Sequence, residues 1–264
     1  MGTAAPIVGR QENIVSFYNQ QEQQSQHLGG AIELGPPVSA TGVEERAKFI
    51  ERTYLHLAGA ILGFVGLEYF LLGSDTVRDF AINSMTGSQY SWLIVLGAFM
   101  AVSYVADKWA RSATSLPLQY AGLSLYVIGE AIIFVPLLMI AQAMSGPENP
   151  IIFTAGVSTM AIFAALTGIV LYTKRDFSWM RGALSIAGLS AAGLIVASIV
   201  FGFSLGIFFT VLMIAFAACY ILYDTSNILH HYRTDQYVAA SLGLFASVAL
   251  LFWYVIRLVM ALRD

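Results

Sequence analysis

Seven stretches of about twenty apolar residues, separated by short polar or glycine-rich breaks, decide what this chain can fold into. They lie at about 54–73, 88–106, 117–142, 150–172, 180–202, 204–229 and 238–262. Each approaches the roughly 20 residues that a helix needs to cross the hydrocarbon of a bilayer. In lipid every backbone polar group must be satisfied internally, and runs of this length do that as helices. Only 11% of the residues are charged, against about 25% in a soluble domain. The expected fold class is therefore all-α, a polytopic membrane protein of seven transmembrane helices in a bundle. The break F-G-F-S at 201–204 is short, but the summed length of its flanking runs calls for two crossings.

Residues 1–40 differ in kind. Q-Q-E-Q-Q-S-Q and G-P-P-V-S-A-T-G are polar and rich in breakers, which predicts a mobile tail ahead of a membrane domain at 41–264. Ile14, Val15, Phe17 and Tyr18 have the apolar content of a short interfacial helix, though a plain tail suits the stretch better. No apolar core follows the N-terminus, so no signal peptide is expected. Gly2 opens no myristoylation motif, because Pro6 stands where Ser or Thr is needed. Thr41 with Glu44 reads as a capping box opening a helix that runs through Arg46, Lys48 and Arg52 into the first span.

Ten of the thirteen Lys and Arg residues fall in the N-terminal segment and in the second, fourth and sixth connections. Arg78, Arg257 and Arg263 fall on the opposite side. Basic residues favour the cytoplasmic side, which predicts a cytoplasmic N-terminus and an extracytoplasmic C-terminus. The net charge of -3 gives no reason to expect nucleic acid. The single cysteine, Cys219, permits no internal disulfide and reads as a small packing residue. Gly59 with Gly63, Gly188 with Ala192, and Gly193 with Ala197 are small-residue pairs expected to bring helices close.

The stretch Y-I-L-Y-D-T-S-N-I-L-H-H-Y-R-T-D-Q-Y, residues 220–237, places Asp224 inside the sixth apolar run, followed by Thr225, Ser226 and Asn227. An acid inside a span is costly, so it faces protein or water and often carries function. The plainer alternative is a last polar turn reaching for the surface. Four polar residues together favour the first reading, with hydrogen bonds from these neighbours or from a facing helix. Glu130 lies in the middle of the third span, six residues before Pro136, and is expected to be protonated, or paired beside a cavity. Glu68 and Arg257 match in depth near the outer ends of the first and seventh spans. They form either an ion pair or two side chains that snorkel separately.

His230 and His231 point about 100° apart on a helix and do not readily share a metal. Neither H-E-x-x-H, G-x-S-x-G nor a P-loop is present, so no enzyme, metal or cofactor is expected. The polar hub points to transport, sensing or partner binding.

The sixth span with its Y-D-T, the ending L-F-W-Y-V-I-R-L of the seventh, and Y-T-K-R-D-F-S between the fourth and fifth resemble the Bax inhibitor-1 family, the transmembrane Bax inhibitor motif proteins. The resemblance covers roughly residues 45–262 and looks closest to bacterial members. It implies a bundle of seven helices, one central and surrounded by the others, in an inner membrane. It also implies a calcium leak and a pH response in some members, and control of an ATP-dependent membrane protease in others. The family's pH sensor is a pair of aspartates, and Asp224 matches the first. The second, ten residues before the arginine of the last span, falls here on Ser247. Asp and Ser share no proton as two carboxylates do, so pH gating should be weak here. By rise per residue, Asp224 and Ser247 sit about 8 and 14 Å deep, close enough to face one another on tilted helices.

The lipid bilayer is the certain partner on this reading. Calcium or protons passing a pathway of Asp224, Ser247, Glu130 and Asn227 make one hypothesis. A non-conducting modulator of a membrane protease or another membrane complex makes the other.

Overall fold

The computed structural model describes residues 35–86, 90–112, 115–146 and 150–263. Within them run eight α-helices: α1 (Val43–Leu72), α2 (Asp75–Thr86), α3 (Ser91–Ala110), α4 (Leu116–Met144), α5 (Ile151–Thr173), α6 (Arg181–Phe201), α7 (Gly206–His230) and α8 (Tyr237–Ala261). All but α2 are long and apolar enough to cross a membrane. The all-α polytopic class and the seven spans expected from the apolar runs are therefore present. The helix α2 was not expected. Its sequence D-T-V-R-D-F-A-I-N-S-M-T is polar and only 12 residues long, too short to span.

The last helix is the central one. α8 packs against α1, α3, α4, α5 and α7, and its buried face runs almost unbroken from Val238 to Ile256. Phe64 of α1 presents its ring edge-on to Phe134 of α4 and to Phe245 and Phe252 of α8, with centroids 5.1 to 6.4 Å apart. Aromatic edges prefer ring faces in this geometry. α6 packs chiefly against α7, and Ile186 and Leu189 on it face outward, as suits a lipid-bathed helix.

Local chemistry sets the helix ends. Ser115 caps α4 by accepting from the Leu118 amide at 3.4 Å, with Pro117 in the first turn. The reversal between α6 and α7 needs left-handed backbone at Gly202 and Gly206, with φ of 71° and 66°, which glycine adopts without strain. It is this pair that makes two crossings of the short F-G-F-S break.

Three expectations are corrected here. Thr41 does not cap α1: Gly42 holds that position without a side-chain bond, and the Thr41 hydroxyl donates back to the Val38 carbonyl at 2.9 Å. The Gly59–Gly63 face brings no backbone close, because Gly59 looks into open space and the nearest neighbour of Gly63 is Val127 at 3.9 Å. Gly193 is likewise open, whereas Gly188 seats the Phe216 ring of α7. The close crossing lies between α3 and α4 instead, where Gly122 faces the backbone of Ala106 and Ala110.

The third correction concerns the tail. Residues 1–34, with the Ile14–Tyr18 cluster and the Gly2 motif, lie outside the described residues. Gly35–Ala40 were expected to belong to the mobile segment, but they form a strap across the loop between α7 and α8. Pro37 pairs antiparallel with Arg233. The Val38 amide donates to the Tyr232 carbonyl at 2.9 Å, and the Thr234 amide to the Pro36 carbonyl at 3.2 Å. The Arg46 side chain donates to the carbonyls of Val38 and Ser39. Val38 is wholly buried, which is worth about 1.5–3 kcal/mol for a valine. Val38→Ala is therefore expected to lower stability by about 2 kcal/mol and leave a small cavity. Amide exchange at Thr234 should speed up with it. Unchanged exchange at Thr234 would show that the strap rests loosely on its loop.

Candidate functional site: a cleft along the central helix

Between α3, α4, α6, α7 and α8 lies a cavity of about 1110 Å³. On α8 its wall runs from Leu242 through Gly243, Ala246, Ser247, Leu250, Trp253, Tyr254 and Arg257 to Ala261. These positions recur at three and four residues, one face of a helix. At 1.5 Å per residue the stripe is about 28 Å long, close to the thickness of a bilayer's hydrocarbon core. The cleft exists because α6 leans on α7 and leaves α3 and α4 uncovered on this side.

Asp224 lines one end of the cleft. The Ser247 hydroxyl donates to Asp224 Oδ2 at 2.5 Å, a length suited to a hydroxyl on a charged oxygen. Arg111, just beyond α3, and Tyr232, in the loop after α7, lie within the field of Asp224. Gly243 stands against this group: a Cβ there would lie 3.5 Å from the Tyr232 hydroxyl and 3.9 Å from the Asp224 carboxyl. Arg111 also donates from Nε to both carboxylate oxygens of Asp107, at 2.8 and 2.9 Å. Burial, reinforced by the charge of Asp224, pushes the Tyr232 hydroxyl up to about 12, so it stays a neutral hydrogen-bond donor.

Glu130 opens into the same cavity further along, buried beside Tyr126 one turn earlier on α4. Among the described residues no ion pair includes it. Asp224 takes its hydrogen bond from Ser247, on the facing helix, and Glu130 is not its partner.

The other candidates separate. Asn227 does not line the cavity; its carbonyl accepts from the amides of His231 and Tyr232 and ends α7. Thr225 and Ser226 give Asp224 no hydrogen bond, since successive residues turn about 100° on a helix. Ser226 instead accepts from the Phe177 amide at 2.8 Å and donates to Asp176 at 3.3 Å. His231 joins the same carboxylate at 3.2 Å, which ties the loop after α5 to the end of α7. Asp176 is exposed, and the Ser178 amide above all holds it at about 2.

Glu68 and Arg257 form no ion pair. The Glu68 carboxylate is buried without a hydrogen-bond partner among the described residues, while Arg257 lines the cleft. Their depths agree and their directions do not. Phe252 meets Phe64 of α1, and five further residues carry Arg257 about 140° round α8.

Sequence reasoning missed Asp107, Arg111, Tyr126 and Tyr232. The signal for the first two was the acid and base four residues apart at the end of a span, a spacing that pairs them on one helix face.

The family model described as "Inhibitor of apoptosis-promoting Bax1" matches residues 46–264. Bax inhibitor 1 of Schizosaccharomyces pombe is 28% identical over 233 residues, covering 86% of this chain and 83% of the relative. Protein lifeguard 4 of Mus musculus is 25% identical, covering 87% of this chain and 92% of its own. An uncharacterized protein of Pasteurella multocida is 27% identical over 68% of this chain and 81% of its own.

Proposed function

Since the chain belongs to the Bax inhibitor-1 family, we propose that it is a calcium-leak or cation-homeostasis protein of a bacterial inner membrane, with Asp224 as its polar hub. One observation carries this reading. A cleft nearly as long as the membrane is thick holds three carboxylates, Asp107, Glu130 and Asp224, against two arginines, Arg111 and Arg257. Carboxylates facing a cavity suit a hard cation, which prefers oxygen ligands. Ser247 keeps Asp224 oriented, and Arg111 lies within its field.

Calcium flux into liposomes holding the purified protein tests this. Asp224→Ala is expected to change the flux several-fold. Equal flux in both proteins contradicts the hub. No flux in either favours the non-conducting modulator of a membrane protease.

The N-terminus is cytoplasmic in this reading, as the basic residues predict. A cysteine replacing Ser178 should then be labelled from the cytoplasm and one replacing Ser145 from outside. The reverse pattern overturns the orientation.

A further inference from the structure

Away from the cleft, four side chains from three helices converge on the outer surface of the bundle. Arg52 and His56 stand one turn apart on α1, Tyr120 is on α4, and Tyr237 opens α8. His56 Nδ1 is 2.6 Å from the Arg52 carbonyl, which only accepts, so Nδ1 carries a proton. In the neutral ring Nε2 then accepts from the Tyr120 hydroxyl at 2.9 Å. The Tyr120 oxygen is left to accept from Tyr237 at 3.4 Å. The Arg52 guanidinium lies over the Tyr237 ring, 5.7 Å from its centroid. It enters no ion pair among the described residues; Lys48, one turn before it, is paired with Glu44.

The position of the cluster narrows what it binds. Towards the start of α1 the surface is polar, with Glu44, Glu45 and Lys48 exposed. Further along α1 it is apolar: Leu55 and Leu62 are 62% and 71% exposed. Arg52 thus stands where headgroup gives way to hydrocarbon, the level at which tyrosines and arginines anchor spans. An unpaired guanidinium fork matches the oxygens of a phosphodiester in two parallel hydrogen bonds. The apolar surface that α1 exposes to one side of Arg52, at Leu55 and Leu62, offers a place to acyl chains that a free phosphate has no use for. Exposed Glu51, next to Arg52, points about 100° away on the helix.

We propose that Arg52, His56, Tyr120 and Tyr237 form a binding site for the headgroup of an anionic phospholipid at the membrane surface. Arg52 holds the phosphodiester, and the tyrosine pair gives it a hydroxyl by turning from its internal bond. The proposal does not depend on whether the protein conducts.

Native mass spectrometry of the delipidated protein in detergent tests the site, titrated separately with phosphatidylglycerol, phosphatidylcholine and inorganic phosphate. The expected result is one retained phosphatidylglycerol, held about ten-fold less tightly by Arg52→Gln, the loss of one charge-assisted pair. Arg52→Lys should fall between, and Tyr237→Phe should weaken retention less than Arg52→Gln. Arg52 is exposed and Tyr237→Phe keeps the half-buried ring, so circular dichroism should be unchanged in each variant. Equal retention of phosphatidylglycerol by wild type and Arg52→Gln overturns the proposal. So does retention of phosphatidylcholine equal to that of phosphatidylglycerol. Inorganic phosphate competing off the lipid at equal concentration would assign the site to free phosphate instead.

Discussion

On the proposed reading of a leak, Ser247→Asp is expected to turn a flux that varies little between about pH 6 and 8 into one that changes several-fold over that range. The geometry is already in place. The Ser247 oxygen lies 2.5 Å from Asp224 Oδ2, so an aspartate there, one atom longer, brings a second carboxyl group against the first once the two side chains adjust. Two carboxylates so close do not both carry charge readily; they share a proton, which leaves as the pH rises through neutrality. With serine in place, Asp224 keeps an orienting hydrogen bond and has no proton to share. The other ionisable groups in its field, Arg111, Tyr220 and Tyr232, are not of a kind to titrate in this range. Calcium flux in liposomes across the range, for both proteins, decides it. Steep pH dependence in the native protein, unchanged by the substitution, places the gate elsewhere, with Glu130 first to be tested.

That Asp224 and Ser247 meet was implied by the family resemblance, which sets Ser247 at the place of the second aspartate; the count of residues along each span made the two depths compatible. Two side chains at compatible depths on consecutive antiparallel helices have few places to go. The same count brought Glu68 and Arg257 to one level and could not choose between a pair and two separate side chains, because depth says nothing of direction round the helix. The side that a residue faces is set by packing, here by Phe64 turning α1 towards Phe134 and Phe252. The spans were legible for a related reason: apolar length is a local property. The strap at Gly35–Ala40 was not, since its glycine and prolines read as tail, and only pairing with Arg233, far along the chain, orders it. Arg111 carried a signal in its spacing from Asp107, yet its nearness to Asp224 depends on how α3 crosses α4.

That crossing yields a substitution whose sign depends on where it is made. A Cβ on Gly122 would lie 2.5 Å from the Ala106 carbonyl oxygen and 2.5 Å from the Ala110 amide nitrogen. Both are backbone atoms of α3, so no rotamer change gives relief and the helices must separate. Seven residues on, Gly129 keeps the same face open for Val102 and Phe99. Gly122→Ala is therefore expected to destabilise the protein by about 3 kcal/mol, at the upper end of the cost of overpacking. Gly59→Ala, on a helix face with nothing within 4 Å, should instead gain about 1 kcal/mol from helix propensity. Unfolding of the two variants in detergent measures the difference directly. The first should also disturb flux, because α3 carries Asp107 to the cleft and α4 carries Glu130; the second should not. Equal effects of the two alanines would mean that α3 and α4 do not cross at Gly122, and the wall that sets Arg111 beside Asp224 would have to be built another way.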